Sequence, residues 1–484
     1  MSEIDSTQQP DQMNSVADAA PRKPQPDNYT LPREEPRGTM IRGKYTGLIS
    51  ALIVLVFFAA LRAQTPEPRS SPRTIAIRCG RLIDGKRGAP INNAVVLIEG
   101  NQIKSVGSDI TIPPGAEIID LSGATVLPGL IDCHTHLLSN FDVAVAEDSN
   151  MFLTVSQMST AKRALLGAAM GREDLEAGIT TVRDLGNSGL NGDVALRDAI
   201  RSGWVKGPRM IVSTRALSAI GGQFGPIQTE AQKVIDQEYA VVSNVEEARR
   251  AVAQAIYDGA DCIKVIVNAS STLSLEVMKA IVEETHRAGK KVAAHAIGDV
   301  AIRNAVEAGV DSIEHAYIIS DDLLKMMAEK KIFIVPTDGP LESYGGMFQQ
   351  AQSNEERAQM EAQMKTFIAR SRKRLERAVK AGVPIAAGSD MYYRLPGKTR
   401  GQASLMMLRA YAESGMTGMQ IIKAATSNAA ELLGLQFRIG SIEANRWADI
   451  IAVQGDPLKD ISELERVRFV MKGGAVIKNE FAGK

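Results

Sequence analysis

Cysteine, tryptophan and histidine are all scarce in this chain, with three, two and five copies in 484 residues. Three cysteines cannot build a disulfide framework, so a small cross-linked scaffold is excluded and no structural disulfide is expected. Net charge is missing as well: 56 lysines and arginines balance 56 aspartates and glutamates. No basic face follows from that balance, and nucleic acid is not an expected partner. The apolar share of 44% and charged share of 23% are those of a soluble globular protein. The length exceeds one ordinary core and calls for two domains, or one large barrel with an accessory domain.

A full membrane span is lacking too. The apolar run Leu48 to Leu61 holds 14 uncharged residues, short of the ~20 that a spanning helix needs but right for a secretory signal. Arg42 and Lys44 precede it, and Ala63 offers a cleavage edge. Translation from Met40 would give a conventional signal; the residues before it are polar and Pro-rich, and read as disordered. Residues 1–63 are therefore expected to be a disordered stretch plus signal peptide or anchor, and 64–73 a linker. The folded body is expected outside the cytoplasm, periplasmic or secreted. An uncleaved run 48–61 would tether it to a membrane, facing outward.

From Thr74 to Val126, strand-like runs are separated by Gly, Asn, Asp and Pro turns: Ile75–Ile77, Arg81–Ile83, Ala94–Ile98, Ile103–Val106 and Ala124–Val126. After Pro128 the pattern changes to strands alternating with amphipathic helices. Candidate strands are Ile131–His136, Thr180–Arg183, Arg209–Ser213, Ile263–Val267, Val292–His295, Ser312–His315, Ile332–Val335 and Ile385–Asp390. Helices such as Leu275–Ala288, Ala301–Ala308 and Asp321–Lys330 lie between them. Eight strand–helix units over about 310 residues predict an α/β fold, a (β/α)8 TIM barrel over 128–438. Strands return at Gly440–Ile442, Ala448–Val453, Val467–Val470 and Ala475–Ile477. Each terminal set is too small to fold alone, so 74–127 and 439–484 are expected to pair as one composite β-sandwich.

The histidines that are present fall in telling places. His134 and His136 flank Thr135 directly after Val126-Leu127-Pro128-Gly129-Leu130-Ile131-Asp132. Alternate residues of a strand share a face, so both imidazoles project from one side and can hold one divalent metal. Cys133 alternates with them and should point into the interface behind; Cys262 also reads as core. His295 ends the fifth candidate strand, His315 the sixth, and Asp390 the eighth. In such a barrel, chemistry sits at the carboxyl ends of the strands. His286 lies mid-helix and reads as a surface residue. Lys264 stands inside the apolar run Cys262-Ile263-Lys264-Val265-Ile266-Val267, where a lysine is costly unless neutralised or paired.

These stretches resemble the amidohydrolase superfamily across nearly all of residues 74–484. The matching motifs are LPGLIDCHTHL (127–137), GITTVRDLGN (178–187), GADCIKV (259–265), KVAAHAIGD (291–299), VDSIEHAY (310–317), VPIAAGSD (383–390) and AATSNAAELLG (424–434) with ADIIAV (448–453). Within the superfamily the chain is similar to imidazolonepropionase-related metallodependent hydrolases, a group that includes Xaa-Pro dipeptidases.

The resemblance implies a two-metal centre, most simply of zinc. His134, His136 and Asp390 would hold the more buried ion, and His295 and His315 the second. Lys264, carboxylated by CO2, would bridge them. It further implies hydrolysis of an amide C–N bond, in a dipeptide or N-acyl amino acid, by a metal-bridging hydroxide, with Asp390 moving the proton. The alternatives are a cyclic amide, a lactone or another ester, cleaved with the same centre. A deaminase is disfavoured, since Ala296 follows His295 where deaminases of the superfamily carry glutamate nearby. Gln223 stands where relatives often have histidine, and Ile297 replaces a second histidine found in related dipeptidases. Gln223, Tyr393 and Arg394 are the expected substrate contacts, Arg394 toward a carboxylate. Relatives also imply a homo-oligomer.

Overall fold

The computed structural model describes residues 73–144, 151–224, 226, 228–268 and 271–482. The expected disordered stretch, the apolar run 48–61 and nearly all of the linker lie outside the described residues. Among the described residues, no helix is long and apolar enough to cross a membrane.

The described residues open with β1 (Thr74–Leu82), β2 (Ile91–Asn92), β3 (Val95–Glu99), β4 (Gln102–Gly107) and β5 (Glu117–Pro128). In β3, Val96 and Ile98 are buried while Val95, Leu97 and Glu99 are half-buried, the period of two that puts one face on a core. Then come β6 (Leu130–Thr135), β7 (Ile179–Asp184), β8 (Arg209–Val212), β9 (Ala216–Ser218), β10 (Tyr239–Val241), β11 (Cys262–Ile266), β12 (Lys291–Ala296), β13 (Ser312–His315) and β14 (Phe333–Val335). The last strands are β15 (Ile450–Val453), β16 (Phe469–Lys472) and β17 (Ala475–Asn479).

Strands from the two chain ends share one eight-stranded sheet, ordered β17-β16-β15-β5-β1-β3-β4 with β2 on β1. The two ends do pair, but among the described residues their hydrogen bonds run through a single sheet, with no second sheet drawn facing it. The cause is β5, whose 12 residues serve two partners. It runs parallel to β1, and its end, Thr125 to Pro128, also pairs antiparallel with β15. Gly440–Ile442 forms no strand; Gly440 turns the chain at φ +82°.

The middle of the chain is a TIM-barrel-like α/β fold. β6-β7-β8 form one parallel sheet and β10-β9-β11-β12-β13-β14 another. Helices Thr160–Glu176, Gly192–Arg201, Val245–Tyr257, Leu275–Arg287, Asp299–Ala308 and Asp321–Lys330 alternate with the strands. Their ends are written in the sequence: Ser274 caps the fourth of these by accepting from Val277 N, and Gly309 stops the fifth at φ +87°. β6, β7 and β11 are buried at every residue, as strands covered on both faces must be.

The expected last strand, Ile385–Asp390, is not a regular one. Ile385 bridges only Ile334, and Met391 bridges Thr135. Between those points, Cys133 N donates to Ala387 O at 2.8 Å and Asp390 N to His134 O at 2.7 Å. A left-handed φ of +51° at Asp390 breaks the ladder. Gly388 makes the close approach possible, since a Cβ there would lie 2.3 Å from Val335 Cγ1 and 2.8 Å from His134 Cβ. All three cysteines are free and buried. Cys133 packs behind the site with Ile131, Val335 and Ala386.

Candidate metal centre

The carboxyl ends of the parallel strands converge on a cavity of about 410 Å³. Its lining includes His134, His136, Lys264, His295, His315, Asp390 and Gln223. His134 is on β6 and His136 just past its end, so they face the cavity together as the alternation predicts. Asp390 Oδ1 lies 3.2 Å from His136 Nε2 and 3.5 Å from His134 Nε2. Among the described residues, His134, His136 and Asp390 form the one group of three ligating side chains whose donor atoms all lie within 4.8 Å of one another.

Each imidazole is oriented through its other nitrogen. His134 Nδ1 lies 2.7 Å from Glu314 Oε2, and His136 Nδ1 lies 2.9 Å from Gly186 O. With the proton held at Nδ1 by those acceptors, both Nε2 lone pairs turn toward Asp390, the arrangement a cation needs. Glu314 is itself fixed by Arg183, at 2.8 Å, and by Ser312 Oγ. Burial holds His134 well below the ordinary imidazole range, with Lys264 adding to the effect. Burial alone would raise Asp390, but the positive charge facing it, Lys264 included, outweighs that and holds it below the usual carboxylate range.

His295 and His315 stand beside this group, their ring centres 4.6 Å apart. His315 Nδ1 is 2.8 Å from Thr337 Oγ1, which also contacts the Tyr317 hydroxyl at 2.9 Å. Burial, with help from Lys264, pushes His295 down to about 4. Lys264 Nζ is 3.3 Å from His134 Nε2, and burial lowers its ammonium to about 8 against the pull of Glu314 and Asp390. These donors fit a divalent cation at His134, His136 and Asp390. As an unmodified amine, Lys264 offers no oxygen to a second ion, and His295 and His315 make no third-ligand group without one.

The strand-end backbone is strained where the site is built. His315 (φ +70°), Thr337 (φ +57°), Thr214 (φ +59°) and Asp390 (φ +51°) are left-handed without being glycine, each costing about 1 kcal/mol or more.

Expected substrate contacts divide. Gln223 lines the cavity, its Oε1 accepting from Tyr239 Oη at 3.2 Å. Tyr393 and Arg394 do not line it. Residues 391–394 run extended beside 135–141, with Phe141 bridging Tyr393, so side chains alternate. Tyr392 takes the cavity side, whereas Tyr393 packs with Met391, Leu395, Ala403 and Met406. Arg394 pairs with Asp142. His286 is exposed on its helix and meets Asp311 at 2.8 Å. Sequence reasoning missed Arg183 and Glu314, which lie in polar contexts, Thr181-Val182-Arg183-Asp184 and Ser312-Ile313-Glu314-His315, and do not stand out as Lys264 does in its apolar run. It also missed Tyr392's priority over Tyr393, and Arg400, which no local pattern marks.

With this geometry the comparisons agree. The family model described as "Amidohydrolase family" matches residues 125–477. Ochratoxinase of Aspergillus niger is 31% identical over 440 residues, covering 84% of this chain and 87% of the relative. Its crystal structure matches with a TM-score of 0.71 over 85% of this chain and 97% of that one, at 29% identity. A Xaa-Pro dipeptidase crystal structure with methionine bound in its active site matches with a TM-score of 0.72 at 29% identity, over 84% of this chain and all of that one (100%). Imidazolonepropionase of Fusobacterium nucleatum is 25% identical over 394 residues, covering 74% of this chain and 84% of the relative. The chain belongs to the amidohydrolase family.

Proposed function

We propose that this protein is a metal-dependent hydrolase of an amide C–N bond in a small molecule. The observation that carries the reading is the convergence of His134, His136 and Asp390 at one cavity with Lys264, His295 and His315 beside them. His134, His136 and Asp390 would hold one divalent ion. His295 and His315 would hold a second, with Lys264 carboxylated by CO2 supplying the bridging oxygens that the free amine lacks. Burial favours this modification, because CO2 reacts with the neutral amine and Lys264 is lowered to about 8. Zinc suits the imidazole and carboxylate donors. Bound ions of this kind supply Lewis acidity toward a carbonyl and lower the pKa of water.

The chain's own groups do the rest. Asp390, ionised and central, takes a proton from attacking water and returns it to the departing nitrogen. Gln223 and Asn187 offer polar contacts in the cavity, and Phe141, Met151, Ile266, Ile297 and Tyr392 give it apolar walls. Those walls suit a small amide with an apolar or aromatic group. A dipeptide or N-acyl amino acid remains the substrate class proposed from the family likeness, ochratoxinase and the Xaa-Pro dipeptidase being relatives. With Arg394 tied to Asp142, its carboxylate would have to be met by polar groups other than Arg394. The two parallel sheets are proposed to close into one eight-unit barrel, and the run 48–61 to export the body, as cleaved signal or as anchor.

The test is turnover of a library of dipeptides and N-acyl amino acids, before and after chelation and zinc reloading. Zinc-dependent release of an amine is expected. No hydrolysis of any amide by a protein that has demonstrably taken up zinc would defeat the reading.

A further inference from the structure

Three buried features outside the ligand set could bear on function: the Arg183–Glu314 pair behind His134, the Asp338–Arg374 pair behind Tyr317, and Arg400. Arg400 makes the most specific contacts with the candidate centre. It opens the helix Arg400–Leu405, outside the parallel strands, and is 4% exposed. Its guanidinium reaches inward to the backbone on which two of the three clustered ligands hang. Nη2 donates to His136 O at 3.1 Å, to Thr135 Oγ1 at 3.0 Å and to Met391 O. Nη1 donates to Ser139 O at 2.9 Å.

The joint it spans is held by only a few backbone bonds and one isolated bridge, Thr135 to Met391. β6 and the segment bearing Asp390 share no ladder, only single backbone bonds such as His136 N to Met391 O at 3.1 Å. Asp390 sits one residue before Met391 and is held at a left-handed φ. A planar fork with fixed donor directions can hold both sides of such a joint at once; a lysine's point charge cannot. Burial lowers the guanidinium, and nearby Asp174, Asp132 and Asp184 offset part of that cost. The helix that presents it is anchored by a capping box at Thr399 and Gln402, by Arg400 N donating to Glu173 Oε2 at 2.6 Å, and by Gly401 against the helix Thr160–Glu176.

We propose that Arg400 is a positioning residue: it staples the His136 backbone to the Met391 backbone and thereby sets the spacing of His136 and Asp390 for a cation. The proposal rests on those two residues being ligands. The probe is cobalt(II) alone, followed by its visible absorption spectrum and by competition titration, on wild type, Arg400→Ala and Arg400→Lys. Wild type is expected to bind cobalt with a defined spectrum. Both variants are expected to bind about 10–100-fold more weakly, the range seen when a group orienting a ligand is lost, and with an altered spectrum. Added guanidinium at low millimolar concentration should restore part of the affinity and spectrum to Arg400→Ala and nothing to Arg400→Lys.

If wild type binds no cobalt, the ligand reading fails, and this inference with it. If wild type binds and a folded variant matches it in affinity and spectrum, the staple alone is overturned. Failure of both variants to fold, judged by circular dichroism, would assign Arg400 to the fold and also overturn it.

Discussion

At the scale of single residues, the site is a set of buried ionisable groups that hold one another in place. Glu314 is the hinge of that set, because it meets His134 and Arg183 at once. Glu314→Gln is expected to lower cation affinity about 10–100-fold, read by competition titration. Removing one side of a buried pair also costs about 3–5 kcal/mol, so a lower urea midpoint should accompany it. Lys264→Ala should lose metal and turnover together, and short-chain carboxylic acids should restore part of both by supplying oxygens to the gap. The histidines set an acid limit. His295 is lowered from 6.5 to about 4, so between those values the unfolded chain binds protons that the folded chain refuses. Stability and cation retention should therefore both fall as pH drops from about 6.5 toward 4. Flat cation retention across that window would contradict it. His134, His136, His295 and His315 were legible because strand alternation and position say which way a side chain points. Arg183 and Glu314 were not, because each has charged or polar strand neighbours, Asp184 and Thr181 for one and His315 and Ser312 for the other, and neither is a charge inside an apolar run. Arg400 was not legible either, because apart from Met391 its partners, the Ser139 and His136 carbonyls and the Thr135 hydroxyl, come from a segment far away in the chain.

At the scale of elements, most strands and helices lie within a residue or two of where periodicity puts them, since burial on both faces leaves little freedom. The segment before Asp390 is the exception. Its residues read as a strand, yet a glycine approach and a left-handed turn make it an irregular strap. Gly388→Ala should therefore be costly: the new methyl would press on Val335 and the His134 Cβ. A loss of about 1–3 kcal/mol, seen as a lower melting temperature, should come with weaker cation binding; a neutral effect on both would show that the strap gives way freely. Tyr393 and Arg394 miss the cavity for different reasons: extended pairing with Phe141 alternates the side chains and hands Tyr393's place to Tyr392, while Arg394 is drawn to Asp142. Register of this kind is set by a partner segment some 250 residues away, and no local pattern reveals it.

At the scale of the whole molecule, the first and last strands depend on each other. Phe469, Val470 and Met471 are fully buried, and Phe469, Met471 and Ile450 share a core with Ile75, Ile77 and Val96. Truncation before Phe469 is expected to yield insoluble protein, checked by its partition between soluble and pelleted fractions; a soluble, cation-binding product would show that the sheet tolerates an open edge. The order of synthesis gives β5 a further consequence. Half of its partners are made more than 300 residues after it, so this sheet has no complete form until the ribosome has nearly finished. Contacts so distant in sequence form slowly. For a polypeptide that must be threaded outward before it collapses, as proposed for this one, a seam that its own tail has to close keeps the early strands pliable for the length of the journey.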